Sequence, residues 1–244
     1  MKNYALILAG GVGQRMRSSG LPKQFLKVYG KPIIIYTIEK FVRCSNVDEI
    51  VVACNPLYID YLNELLQIYP FGKNIAVISG GKDRQGSIQN GIDYIFHNGG
   101  NGDDIILIHD GVRPLIDEDI ISENIRIAQK EGCAMTVHPV VESVVVSDKN
   151  AADFSDFKKR DSTYSLTSPQ TFKLSILVEA YEKTKDADAP IPLLDAALAY
   201  TFLGHQIPLV MEYNQNIKIT TPEDYYILKA LLELQENKNV FGLN

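Results

Sequence analysis

The chain has 244 residues, 45% hydrophobic and 22% charged, with 17 glycines and 11 prolines, a globular composition that excludes disordered, collagen-like and low-complexity classes. Its formal net charge is −6, from 24 Lys plus Arg against 30 Asp plus Glu, and it has no basic run. Such a surface is unsuited to nonspecific nucleic-acid binding, although a few placed cations suffice for a phosphorylated small molecule.

Cys44, Cys54 and Cys133 are odd in number, far apart and set among apolar residues. They make neither a disulfide framework nor a zinc pattern, and read as buried thiols of a reducing compartment. The apolar run Tyr4–Ala9 ends in glycines. It is a buried strand, too short for a signal-peptide core or a membrane span. The expectation is a soluble cytoplasmic protein with no membrane partner.

Strands and helices alternate after Tyr4–Ala9. Pro32–Arg43 has helical apolar spacing with proline in the permitted first turn. Glu49–Cys54 is a strand, Tyr58–Tyr69 a helix, Asn74–Ser79 a strand and Ser87–Phe96 a helix. Asp104–His109, the helix Glu118–Lys130 and the strand Cys133–Pro139 follow. These strands are solidly hydrophobic, which implies burial on both faces. The pattern predicts an α/β fold, a doubly wound and mostly parallel sheet of Rossmann-like type.

The pattern changes after Pro139. Val140–Ser147 alternates weakly, Ala151–Lys159 is polar and Ser162–Leu166 is short and β-prone, which predicts a protruding β-arm over about 140–162. Leu174–Lys183 and Leu193–Phe202 read as helices, Ile207–Glu212 and Asn216–Thr220 as strands, and Pro222–Glu236 as a final amphipathic helix. There is no repeat and no dividing linker, so residues 1–244 are read as one domain.

The first strand runs into Leu8-Ala9-Gly10-Gly11-Val12-Gly13-Gln14-Arg15-Met16, with Pro22-Lys23-Gln24 close behind. Glycines after a strand let backbone N–H groups approach a phosphate. The loop lacks the G-K-[ST] of a Walker A motif, and Met16 stands where a dinucleotide fingerprint needs its third glycine. Taken alone it fits a tight turn with solvated charge equally well. Arg15 and Lys23 suit it to stabilising a polyphosphate.

Five motifs in order carry a resemblance. L-A-G-G-x-G-x-R-M followed by P-K-Q-F (Pro22–Phe25) resembles the opening of the sugar-nucleotide pyrophosphorylase fold. H-D-G-V-R-P (His109–Pro114), N-I-K-I-T-T-P-E-D (Asn216–Asp224), G-G-K-D-R-x-x-S-I (Gly80–Ile88) and S-P-Q-T-F (Ser168–Phe172) are similar to its CTP-dependent branch. That branch contains ribitol-5-phosphate and 2-C-methyl-D-erythritol 4-phosphate cytidylyltransferases.

The resemblance implies transfer of CMP from CTP to a phosphorylated sugar alcohol, with release of pyrophosphate. It implies Leu8, Ala9, Gly10, Gly11, Gly13, Gly81, Arg84, Ser87 and Asp110 as CTP-binding residues, with Asp110 also holding Mg²⁺. Arg15, Lys23 and Lys218 are implied as the catalytic cations. Arg113, Ser143, Arg160 and Asp195 would bind the acceptor. A homodimer would form through the arm, lending Ser143 and Arg160 to the neighbouring site. The nucleophile would be the acceptor's own phosphate, so no general base is needed. The four scattered histidines suggest neither triad nor zinc site, and His109 is expected to pack beside the centre.

Departures from the family pattern gather on the acceptor side. Glu142-Ser143 replaces Asp-Thr, Leu194 stands where threonine is usual, and Gly111 replaces alanine. The middle segments lean toward the ribitol-phosphate branch over methylerythritol phosphate. A nucleotidyltransferase of the same fold using another base, and a non-catalytic binding protein, are the other classes. The first would lack Asn216–Asp224, and the second would have no reason to keep Arg15, Lys23 and Lys218.

Overall fold

The computed structural model describes residues 1–11, 21–147, 150–185, 188, 195–213 and 216–241. Among them, seven strands form one sheet in the order β5-β4-β1-β6-β8-β7-β9. β1 (Asn3–Ala9), β4 (Glu49–Cys54), β5 (Ile75–Ser79) and β6 (Ile105–Asp110) are its parallel half. Successive side chains of a strand point to opposite faces. Ala5, Ile7 and Ala9 of β1 therefore pack with α1 (Ile33–Arg43), α2 (Ile59–Ile68) and α4 (Glu118–Glu131). Tyr4 and Leu6 pack on the other face with α3 (Arg84–His97), α5 (Leu174–Thr184) and α6 (Ala196–Phe202). Two cores sharing one sheet explain why these strands carry almost no polar residue.

From β1 the chain adds β4 and then β5 on one side, and crosses to place β6 on the other. The reversal lies between β1 and β6. Open α/β sheets bind ligands outside the carboxyl ends of the strands at such a switch point. Here those ends are Ala9-Gly10 and Asp110-Gly111, joined by the Gly111 N–H donating to the Leu8 carbonyl at 2.9 Å.

The remaining sheet corrects the sequence reading. A short strand was expected over Ser162–Leu166. Instead β8 runs for ten residues, Tyr164–Lys173, antiparallel to both β6 and β7 (Cys133–Pro139). Its Ser-Pro-Gln-Thr stretch has little strand signal, and pairing on both sides fixes its conformation. Ile207–Glu212 contracts to β9 (Leu209–Met211), parallel to β7. Asn216–Thr220 is not a strand. Its alternation arises because Ile217 and Ile219 pack with Val112, Leu115 and Leu228 beneath α7 (Pro222–Phe241). Its tie to the loop after β6 is the Ile219 N–H bonding the Val112 carbonyl at 2.9 Å. Of the expected helix Leu193–Phe202, residues 193–194 lie outside the described residues and α6 begins at Ala196.

Strands β2 (Lys27–Val28) and β3 (Lys31–Pro32) form a separate hairpin ahead of α1. The described parts of the 140–162 excursion pair with each other. Val145 bridges Phe157, and the Lys158 N–H reaches the Val144 carbonyl at 2.9 Å. Val141, Phe154 and Phe157 are exposed on it. Cys44, Cys54 and Cys133 are buried and unbridged, as expected. No helix among the described residues is long and apolar enough to cross a membrane.

Candidate active site

The glycine turn is held open by side chains from later in the chain. Gln24 is buried, and its amide donates to the Ala9 carbonyl at 2.8 Å and the Gly11 carbonyl at 3.0 Å. Those carbonyls are satisfied inward. Phe25 anchors the short turn Lys23–Phe25 in the core, with its ring 5.4 Å from Tyr58 and 5.2 Å from Tyr61. Lys23, half-buried, is thereby carried beside the glycine turn. Gly13 and Arg15 lie outside the described residues.

The second wall is the entry to α3. Asp83 caps it, its carboxylate accepting the Gly86 N–H at 2.7 Å. Ser87 donates to the Asp83 carbonyl at 2.9 Å and accepts the Gly81 N–H at 3.0 Å. A Cβ on Gly81 would sit 2.3 Å from the Gly86 carbonyl carbon, and one on Gly10 would lie 3.5 Å from Ser87 Oγ. Gly10, Gly81 and Ser87 are thus brought together across the sheet edge.

Asp110 is the centre of the site. Its Oδ1 takes Arg84 Nη1 at 2.8 Å, and its Oδ2 takes Arg113 Nε at 3.1 Å and Lys218 Nζ at 3.0 Å. Burial alone would raise the Asp110 pKa. Arg84, Lys218 and Arg113 outweigh it and hold the carboxyl far below the usual range. Arg84 also donates through Nε to Asp195 Oδ1 at 3.2 Å, and Gln170 Nε2 reaches the same oxygen at 2.9 Å. Three cations against two carboxylates leave the crevice positive. That charge matches a polyphosphate.

The structure therefore unites Leu8, Ala9, Gly10, Gly11, Lys23, Gly81, Arg84, Ser87, Asp110, Arg113, Asp195 and Lys218 at one edge. Ser143 and Arg160 are exposed on the arm and take no part in the ion-pair cluster among the described residues. No group of three or more metal-ligating side chains occurs among the described residues.

Several residues of the site had no assigned role in the sequence reading. Gln24 and Gln170 lie inside the quoted motifs, which is the one signal that could have found them. Asn216 likewise opens the quoted motif Asn216–Asp224, whereas Tyr181 and Glu212 gave no signal by type or spacing. Among the described residues, the buried side-chain atoms without a hydrogen-bond partner are Gln170 Oε1, the Tyr181 hydroxyl, Glu212 Oε1 and Asn216 Oδ1. Gln170 bonds Asp195, and the Asn216 carbonyl accepts Arg113 Nη1 at 2.7 Å. Asn216 Nδ2 in turn reaches Glu212 Oε2 at 3.2 Å. Unsatisfied polar groups are rare in folded interiors, and these adjoin the ion-pair cluster. Burial raises the Glu212 pKa, against hydrogen bonds from Asn216 and Thr167.

A glycine turn at the switch point of a mostly parallel sheet, with cations converging on one strand-end carboxylate, defines an α/β nucleotidyltransferase. The solved 4-diphosphocytidyl-2C-methyl-D-erythritol synthase of Anaerococcus prevotii shares this fold. It aligns over 95% of this chain and 96% of its own with a TM-score of 0.80, at 24% identity. The 2-C-methyl-D-erythritol 4-phosphate cytidylyltransferase of Francisella tularensis aligns over 93% and 98%, with a TM-score of 0.75 and 27% identity. The family model for 2-C-methyl-D-erythritol 4-phosphate cytidylyltransferase, IspD, matches residues 4–234, and the chain belongs to that family. It is a CTP-dependent cytidylyltransferase. A ribitol-5-phosphate cytidylyltransferase of Vibrio parahaemolyticus is 42% identical across 98% of this chain and all of that protein. One from Streptococcus agalactiae serotype V is 36% identical over the full length of both.

Two outcomes follow from this geometry. Gly81→Ala forces the loop apart from Gly86 and should weaken CTP binding on the order of tenfold or more, since close backbone approach at this turn is lost. Calorimetric titration with CTP checks this, and unchanged affinity would contradict the geometry. Glu212 has a raised pKa in the fold. Its contribution to stability is therefore greatest below the unfolded value, about 4.3, and is lost as pH rises through the folded value. Glu212→Gln should melt higher than the parent at pH 8, with the gap closing as pH falls toward about 4. Thermal melts across pH read this directly, and a lower melting temperature for the variant at pH 8 would contradict it.

Proposed function

We propose that this enzyme transfers CMP from CTP to ribitol 5-phosphate, forming CDP-ribitol and pyrophosphate. The observation that carries the acceptor assignment is similarity along the whole chain to proteins named for that activity, at 36–42% identity. The solved methylerythritol-phosphate enzymes cited above stand at 24–27%. Residues 1–244 act as one catalytic domain, and use of CTP supports a cytoplasmic setting.

The acceptor phosphate is already anionic near neutral pH, so the protein has no proton to remove. An acceptor oxygen bonds the α-phosphorus as the bond to the pyrophosphate oxygen breaks. The work left to the chain is alignment and charge neutralisation. Backbone N–H groups of the glycine turn, with Gly81 and Ser87, hold the nucleotide. Arg15 and Lys23 neutralise the leaving pyrophosphate, and Lys218 neutralises the α-phosphoryl group. Arg113 meets the acceptor phosphate and Asp195 an acceptor hydroxyl.

Asp110 suits a magnesium ion. It is buried at the strand end and held ionised by its neighbours. Mg²⁺ commonly takes only one or two carboxylates, with phosphate oxygens and water completing its shell. When bound, the ion spreads the triphosphate charge. We also propose a homodimer in which the arm, with its exposed Val141, Phe154 and Phe157, packs on a second copy. Ser143 and Arg160 would then serve the partner's acceptor, since an exposed two-stranded excursion gains stability only against a partner.

Pyrophosphate release is the test. It should require Mg²⁺, CTP and ribitol 5-phosphate together, with ATP, GTP and UTP far poorer. Lys23→Ala and Lys218→Ala should each lower kcat on the order of 10²–10³ while CTP affinity changes much less. Equal turnover with methylerythritol phosphate would overturn the acceptor assignment. A variant with near-parental kcat would remove that lysine from the catalytic set.

A further inference from the structure

Asp110 and Arg113 sit three residues apart, on a strand end and on the loop after it. The Arg113 N–H donates to the Asp110 carbonyl at 3.0 Å, and a closed circuit of hydrogen bonds braces the pair further. His109 is fully buried and Ser168, on β8, is 1% exposed, so neither reaches a ligand. His109 Nε2 lies 3.1 Å from the Arg113 carbonyl, and His109 Nδ1 lies 3.0 Å from Ser168 Oγ. A carbonyl only accepts, so Nε2 carries the proton and Nδ1 is bare. The Ser168 O–H must then donate to Nδ1. The same oxygen accepts the Asp110 backbone N–H at 3.3 Å.

The circuit continues through the backbone of Ser168. Its carbonyl accepts Asn216 Nδ2 at 2.8 Å, and the Asn216 carbonyl accepts Arg113 Nη1 at 2.7 Å. Arg113 Nε closes the ring on Asp110 Oδ2 at 3.1 Å. Lys218 lies two residues beyond Asn216 on the same loop. One serine thus links the end of β6, the loop carrying Arg113 and the loop carrying Lys218. The Phe41 ring, with its centroid 4.9 Å from that of His109, sets the plane of the imidazole.

We infer that Ser168 and His109 are a positioning pair for the acceptor half of the reaction, holding Arg113 and the Lys218 loop in register with Asp110. The inference rests on the acceptor reading of Arg113 given above. Ser168→Ala removes the donor to Nδ1 and the acceptor of the Asp110 N–H together. Arg113 keeps its direct ties to Asp110, the N–H to the Asp110 carbonyl at 3.0 Å and Nε to Oδ2 at 3.1 Å, but the loop loses the brace that holds His109 against the Arg113 carbonyl, while the glycine turn and Gly81 are untouched. Misplacement of a binding group by about 1 Å costs on the order of 10²-fold in rate.

The test has two independent readings. Nitrogen-15 NMR of the parent enzyme near neutral pH should show His109 protonated at Nε2 and bare at Nδ1. Kinetics of Ser168→Ala should show the KM for ribitol 5-phosphate raised by roughly 10- to 100-fold. CTP affinity should change far less than the acceptor KM, because Gly81, Ser87 and the glycine turn keep their hydrogen bonds. Ser168→Cys keeps the shape with a weaker donor and acceptor, and should fall between. A His109 protonated at Nδ1, or a folded Ser168→Ala with unchanged acceptor KM, would overturn the inference. So would equal loss of CTP and acceptor binding. If Ser168→Ala does not fold, Ser168→Cys carries the kinetic test, and parental KM there would overturn the inference. If the parent turns over no ribitol 5-phosphate, the acceptor reading fails, and the NMR measurement still decides the circuit.

Discussion

Asp110 carries a negative charge into a place where burial by itself works against ionisation. It remains ionised because Arg84, Arg113 and Lys218 come from three separate parts of the chain to meet it. The dependence is mutual. Arg113 is largely shielded from water and would be costly there without a carboxylate partner. Lys218 is more exposed and has a long, flexible stem, so without Asp110 it would occupy many positions. One carboxylate thus orders the cations before any phosphate arrives, and that order is what electrostatic catalysis requires.

The sheet makes this meeting possible. Because β1 and β6 are neighbours running the same way, the glycine turn and Asp110 emerge side by side. β8 enters antiparallel between β6 and β7 and brings Ser168 and Gln170 under the same edge. Arg84 begins α3 on one flank, and Asp195 precedes α6 within the same layer of helices. α7 presses the Asn216–Thr220 segment against the loop after β6 through Ile219 and Leu228. Charged groups thus arrive from the sheet, from the helices on one face and from the segment before α7, and the packing of the two cores sets the distances among them.

The sequence made some of this legible, for physical reasons that differ by element. The parallel strands are buried on both faces and write that burial as unbroken apolar runs, so their positions were readable. The glycine turn was readable because only glycines permit close backbone approach there. β8 was obscured because its polar residues satisfy partners far away in sequence, as Thr171 does by donating to Asn124. Asn216–Thr220 imitated a strand because packing against α7 and a paired sheet both select alternation. Tyr181 and Glu212 lie in the site only because the chain folds, and no local pattern announces them. Ser143 and Arg160 were named by resemblance, and the arm leaves both at the surface.

The most direct test of Asp110 as the organising charge is the Asp110→Asn enzyme, measured for CTP affinity without metal and for turnover with metal. Asparagine keeps the size and one acceptor oxygen but removes the charge, leaving three cations against the single carboxylate of Asp195. CTP should therefore bind the metal-free variant at least as tightly as the parent. Turnover should fall by on the order of 10² or more, because the cations are present but no longer ordered. Turnover within twofold of the parent would contradict the account.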